Sequence, residues 1–183
     1  LKEFIGGDNK MAEWVARQHG IPQAIFIDDG HVDFTDLSKH VPAQYLRETA
    51  PGVYLSRLPI VVGQKGVLEI DAKVKELRLS QEGGAFIVND GKLFVSDTRV
   101  TGWREKDNGP ATFRTPKEFR PFLLSWGGTE TYIVNTRMAS FGYAQSKSYG
   151  VSISQYTPNM AKQMGRPEPT GWILGSEFSD MWY

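Results

Sequence analysis

The sequence contains no cysteine. That absence excludes disulfides, thiolate nucleophiles and cysteine-based metal sites, and says little about compartment. Neither charge sign is in excess: 21 Lys+Arg stand against 21 Asp+Glu, a formal net charge of zero. A global electrostatic drive toward nucleic acid is thereby removed and nucleic acid is not an expected partner, although a local basic patch would still attract a polyanion. No apolar run reaches the roughly 18 residues of a membrane span, so no membrane-spanning segment is expected. Histidine is scarce: His19, His31 and His40 all fall early in the chain. The chain opens on Leu1 with neither an initiator Met nor a signal peptide, which reads as a section cut from a longer precursor.

What is present suffices for a core, with 40% apolar and 12% aromatic residues. The texture divides the chain in two. Residues 1–60 read as an N-terminal cap segment. Within it, "DNKMAEWVARQHG" (8–20) predicts a helix capped by Asp8 or Asn9, with Met11, Trp14, Val15 and Gln18 on one face. "AIFI" (24–27) predicts a strand stopped by "DDG", and "TDLSKHVPAQYL" a short helical turn. Residues 61–183 carry short β runs separated by Gly, Asn and Asp, an all-β pattern.

Three of these runs say nearly the same thing: "KLFVSDTRVTGW", "TYIVNTRMASF" and "GWILGSEFSDM". Asp97, Asn135 and Gly175 align, and the columns around them agree in type. Phe94, Tyr132 and Trp172 are aromatic; Val95, Ile133 and Ile173 are β-branched; Thr98, Thr136 and Ser176 are hydroxylated; Val100, Met138 and Phe178 are apolar. The aligned Asp, Asn and Gly are the residues that best tolerate positive φ, so they predict a one-residue corner between two inward-facing positions. A second ladder, "GAFIVND", "PFLLSWG" and "GVSISQY", comes just before each phrase. Strand, link, strand, corner, strand at a fixed register predicts the first turns of a right-handed parallel β-helix, a solenoid in which like residues stack on like. Chance similarity among β strands is the competing explanation.

Two long links, 104–120 and 157–169, flank the second ladder and are placed to wall a groove along it. Alternation turns Val151 and Ile153 inward and Ser152, Ser154 and Tyr156 outward, matched one turn earlier by Leu123, Ser125 and Gly127. With Lys117, Arg120, Lys162 and Arg166 in the links, this face suits an acidic sugar polymer: hydroxyls bond sugar hydroxyls and cations pair carboxylates. A solvated β face with ordinary charged loops reads the same from residue types alone. The three histidines precede the repeats and are read as structural. "DDGHVD" (28–33) resembles a loose carboxylate–His cluster, but Asp and Gly also belong at a strand end and turn. Glu177 and Asp180 are candidates for a carboxylate pair, but on a corner strand, away from the groove. No complete catalytic set, metal set or cofactor motif is present.

The stretches "HVDFTDLSKHVPAQYLRETAPGVYLSRLPIVVGQKGVLEID", "FLLSWGGTETYIVNTRMASFGYAQSKSYGVSISQY" and "PTGWILGSEFSDMWY" closely resemble the periplasmic alginate (mannuronan) C5-epimerases of alginate-producing Pseudomonas. The resemblance covers the whole chain. It implies a periplasmic isomerase that inverts C5 of D-mannuronate within the polymer, giving L-guluronate. A histidine abstracts the C5 proton, an arginine neutralises the neighbouring carboxylate, and a proton returns from the other face. A lyase of the same fold, or a non-catalytic carbohydrate-binding solenoid, would share the architecture. The implied partners are alginate and other alginate polymerisation and export proteins. The chain departs from the family pattern in one respect: the Asp-Pro-His-Asp catalytic signature is missing, and no Asp-Pro dipeptide occurs anywhere. The resemblance therefore carries no catalytic residue onto this chain. It implies the N-terminal part of the family β-helix, truncated at its C-terminal end.

Overall fold

A computed structural model describes residues 18, 21, 23–144 and 148–182. The helix expected over residues 8–20, and His19 with it, lies outside the described residues except for Gln18. The fold is built mostly of strands, arranged in two largely parallel sheets. No helix among the described residues is long and apolar enough to cross a membrane.

The first sheet is organised on β4 (Ile60–Ile70), whose two ends serve different partners. Its first residues pair with β6 (Ile87–Asn89) and its last with β7 (Lys92–Ser96). From there the two ladders climb separately. β6 carries β10 (Leu123–Trp126) and then β13 (Val151–Ser154); β7 carries β11 (Glu130–Val134) and then β14 (Thr170–Leu174). The second sheet stacks β5 (Glu76–Ser80), β8 (Arg99–Arg104), β12 (Arg137–Phe141) and β15 (Glu177–Met181), all parallel. It starts from a hairpin of β2 (Leu46–Ala50) and β3 (Val53–Ser56), and a short β9 (Gly109–Pro110) folds back on β8.

The repeated phrase is the passage from one sheet to the other. Asp97, Asn135 and Gly175 form its corner at φ 53°, 47° and 57°. This left-handed backbone explains why the column holds only Asp, Asn and Gly. Asn135 Nδ2 donates to Asp97 Oδ1 at 3.2 Å, tying successive corners. The hydroxyl column reaches back one turn: Thr98 bonds the Val74 carbonyl, Thr136 that of Val95 at 3.3 Å, and Ser176 that of Ile133 at 3.2 Å. Thr98 and Thr136 are buried, so their bonds satisfy polar groups where water is excluded.

Both inward columns form as expected. Ile133 pairs in register with Val95 and Ile173, and Met138 with Val100 and Phe178. Val95, Val100, Ile133 and Met138 are buried in one apolar core. Ile173 is 47% exposed although it continues the column, because no described strand lies beyond β14. On the outer face, the Phe94 and Tyr132 rings stack at 4.8 Å, with Trp172 next in register.

Two expectations for the cap region meet different outcomes. The helical turn forms as α1 (Phe34–His40), capped by the Asp33 carboxylate, which accepts from the Thr35 and Asp36 amides. The strand stop at "DDG" does not occur: β1 runs Ile25–Asp33 along β4, with an irregularity between Ile27 and Asp29. A parallel partner supplied as far as Glu69 outweighs the local turn preference, and pairing resumes after the irregularity with Gly30 at φ 79° opposite Gly66.

Where β6 gives way to β7, the chain crosses β4 so closely that only Gly fits. A Cβ on Gly91 would lie 2.2 Å from the Gly63 carbonyl oxygen and 2.4 Å from that of Gly66. Both obstacles are backbone and cannot rotate away. Gly91→Ala is therefore expected to cost about 1–3 kcal/mol by forced separation of two turns. A melting temperature equal to that of the unsubstituted chain would contradict this packing.

Candidate functional site

The outward face of the second ladder differs from the sequence expectation in register. Leu124 and Trp126 stand beside Ser152 and Ser154; Leu123 and Ser125 stand beside Val151 and Ile153. A one-residue slip in matching turns reverses the face of every side chain. Leu123 and Ser125 are thus interior. Leu123 packs in the core, and Ser125 Oγ accepts from Thr131 Oγ1 at 2.7 Å. Leu124 joins Phe86, Val88, Phe122 and Tyr143 in a second buried cluster, with Phe119 of the long link packed against it. The earlier turns therefore offer no hydroxylated surface. It begins at β13, where Ser152 and Ser154 are half-buried.

Tyr156 does not face outward as expected. β13 ends at Ser154, so strand alternation no longer governs Tyr156, which is only 8% exposed. Its ring lies over Gly127: a Cβ there would sit 2.1 and 2.3 Å from two ring carbons and 2.5 Å from the phenol oxygen. Its edge meets Trp126 at 5.4 Å, and its hydroxyl donates to Asp90 Oδ1 at 3.1 Å. Burial, then the Asp90 carboxylate, pushes the phenol above its usual range, which suits it poorly for proton transfer.

Arg166 is likewise not a free cation. Its Nη1 donates to Asp90 Oδ1 and, at 3.1 Å, to the Tyr156 hydroxyl. Its Nη2 donates to the carbonyls of Asp90 at 2.8 Å and Gly128 at 3.0 Å. Arg120 is not available to a ligand either. It is 2% exposed, ion-paired with Asp180 at 2.9 Å, and set over the Phe113 ring with its guanidinium carbon 4.9 Å from the centroid. Both arginines pair with carboxylates far along the chain. Lys117 and Lys162 are exposed, Lys162 in the last turn of α2 (Pro158–Met164). Of the seven residues expected at this face, Ser152, Ser154, Lys117 and Lys162 remain open to a ligand.

Elsewhere, a hollow of about 670 Å³ is lined by Tyr45, Arg57, Leu58, Glu82 and Glu105 among others. Its carboxylates are engaged. Burial works against charge on Glu105, but the Arg57 guanidinium and Ser80 hydroxyl outweigh it and hold the group below its ordinary range. Glu82 accepts the Glu105 and Lys106 amides at 2.9 and 3.2 Å. Glu105 is therefore no poised general acid. His31 Nε2 lies 2.8 Å from Glu69 Oε2, and His40 Nδ1 lies 2.9 Å from the Asp36 carbonyl. Among the described residues, no three metal-ligating side chains converge.

Sequence reasoning passed over Asp90, Trp126 and Gly128, and read Gly127 only as an outward position of the face; together the four seat Tyr156 and Arg166. The signal was the "WGG" triplet: paired glycines beside a strand mark a place where something must approach the backbone.

No protein-family model matches the chain. Curated relatives do. Over all 183 residues the chain is 87% identical to the mannuronan C5-epimerase of Pseudomonas putida and 76% identical to that of Pseudomonas fluorescens. In each case it covers 35% of the relative. The crystal structure of the periplasmic alginate epimerase AlgG superposes on the whole chain with a TM-score of 0.95 at 66% identity, and the chain covers 43% of that structure. The chain thus spans about a third of the length of the curated relatives it matches. In sequence and in fold alike, the chain is similar along its whole length to one section of the mannuronan C5-epimerases.

Proposed function

We propose that the chain is the cap and first turns of a periplasmic mannuronan C5-epimerase, built as a right-handed parallel β-helix. Residues 1–60 serve as the cap and 61–183 as the turns. The observation that carries this reading is the 87% identity to such an enzyme over all 183 residues of the chain. In the whole protein, D-mannuronate in alginate is converted to L-guluronate by proton removal and return at C5. That proton is acidic enough only if a fixed cation neutralises the adjacent carboxylate and a base stands at the right distance.

This section supplies scaffold and the start of the substrate groove. Ser152 and Ser154 offer hydroxyls to the sugar, and Lys162 and Lys117 offer charge to its carboxylates. Tyr156, Arg120 and Arg166 have internal partners and shape the scaffold. Its interactions with other alginate polymerisation and export proteins are part of the same reading.

The chain alone is expected not to epimerise polymannuronate, since it lacks the Asp-Pro-His-Asp signature and its two described histidines precede the groove strands. The test is to incubate the purified chain with polymannuronate and follow the anomeric proton signals by NMR. Guluronate appearing at an enzyme-like rate would overturn the assignment of catalysis to the rest of the protein.

A further inference from the structure

The segment between β13 and β14 is tied at both ends and open in the middle. α2 spans Pro158–Met164, and Pro158, Asn159, Lys162, Gln163 and Met164 are all exposed. At the near end Tyr156 is buried; at the far end the Arg166 side chain is only 16% exposed. The two meet: Arg166 Nη1 donates to the Tyr156 hydroxyl, and both donate to the single oxygen Asp90 Oδ1. Asp90 lies between β6 and β7, and the Gly127–Gly128 seat lies one turn later, between β10 and β11. A Cβ on Gly128 would lie 3.0 Å from Arg166 Cβ, so the arginine stem and the tyrosine ring both rest on bare backbone. One clasp therefore gathers three successive turns.

A clasp of this kind does little for α2 itself, none of whose described side chains joins a core cluster. What it does is hold the ends of a seven-residue helix while its polar side stays in water. We propose that Asp90, Tyr156 and Arg166 are positioning residues that present α2, and Lys162 on it, to a carboxylate of a bound polyuronate chain. The inference rests on the reading of the β13 face as the start of a polymer groove. It moves Arg166 from the ligand to the scaffold and leaves Lys162 as the contacting cation. A lysine cannot replace Arg166, because a single ammonium cannot span Asp90 Oδ1 and two carbonyls in the fixed fork that the guanidinium provides.

The test compares the unsubstituted 183-residue chain with Arg166→Lys and with Tyr156→Phe, which keeps the ring on its glycine seat and removes only the bridging hydroxyl. Each is combined with Lys162→Gln. Hydrogen exchange of residues 157–165 reads the clasp without any ligand. Affinity for polymannuronate at low salt reads presentation. Exchange in that segment is expected to rise about tenfold in both clasp variants, with β10 and β11 unchanged. Lys162→Gln is expected to weaken polymer binding about threefold in the unsubstituted chain and not further in the clasp variants. A purely structural role would not produce that loss of additivity. Unchanged exchange in both variants would overturn the clasp. Changed exchange with Lys162→Gln still fully additive would overturn presentation. If the unsubstituted chain binds no polymannuronate at all, the polymer reading fails, and presentation with it, whatever the exchange shows.

Discussion

Ile133→Ala and Met138→Ala are each expected to lower stability by about 2–5 kcal/mol, the range for emptying a fully buried core position. Both side chains are completely buried in the middle turn, with a register neighbour on either side. Relaxation is limited because those neighbours belong to strands hydrogen-bonded above and below, so the turns cannot slide to fill the gap. Ile173→Ala removes the same atoms from the same column, but from a residue already half in water, and its cost is expected to be much smaller. Urea denaturation of the three variants measures the contrast: the midpoint should fall for the first two with the slope unchanged. Near-neutral values at both Ile133 and Met138 would mean that the columns do not carry the core.

Asp180→Ala is expected to cost about 3 kcal/mol, because it leaves a buried guanidinium without its counter-charge. Arg120 emerges from the long link and turns inward across the second sheet. Its Nη2 donates to the Asp180 carbonyl at 2.6 Å and to Asp180 Oδ2 at 2.9 Å, and its Nε donates to the Ser140 carbonyl at 3.3 Å. Ser140 and Asp180 both sit at positive φ, 63° and 50°, an unusual backbone for residues with side chains and one that the clip accompanies in both turns. Burial lowers the Arg120 pKa and the Asp180 charge opposes it. The Asp180 side chain is 59% exposed, which keeps the expected loss at the lower end for a broken buried pair. Arg120→Met keeps most of the stem but strands both carbonyls, at about 1–3 kcal/mol for each left buried and unpaired. Thermal melts of the two variants decide the matter. Full retention of stability in Asp180→Ala would show that the pair is incidental to the packing of the link.

Much of the architecture was written in short-range pattern. Alternation within one strand separates inward from outward residues. A single corner residue must accept left-handed backbone, so Asp97, Asn135 and Gly175 mark the passage between sheets wherever the phrase recurs. These requirements act over a few residues and repeat, so they are legible without a partner in view. The cap was less so: "DDG" has the composition of a turn, and only β4 alongside keeps it extended.

The site was the least legible part, and for one physical reason. Whether a surface cation is available to a ligand depends on which carboxylate reaches it first. Arg166 meets Asp90 across 76 positions and Arg120 meets Asp180 across 60. No local window contains both members of either pair. The match between β10 and β13 is similar: a link of any length could join the same two strands, so counting residues misplaced the register by one. Local sequence alone determined the ladders, the corners and the inward columns, because backbone preference and side-chain alternation are properties of neighbours in the chain. Only the stacked turns decided which hydroxyls face out, which arginines are clips and which lysines remain free, because those outcomes depend on contacts between turns that the chain order leaves open.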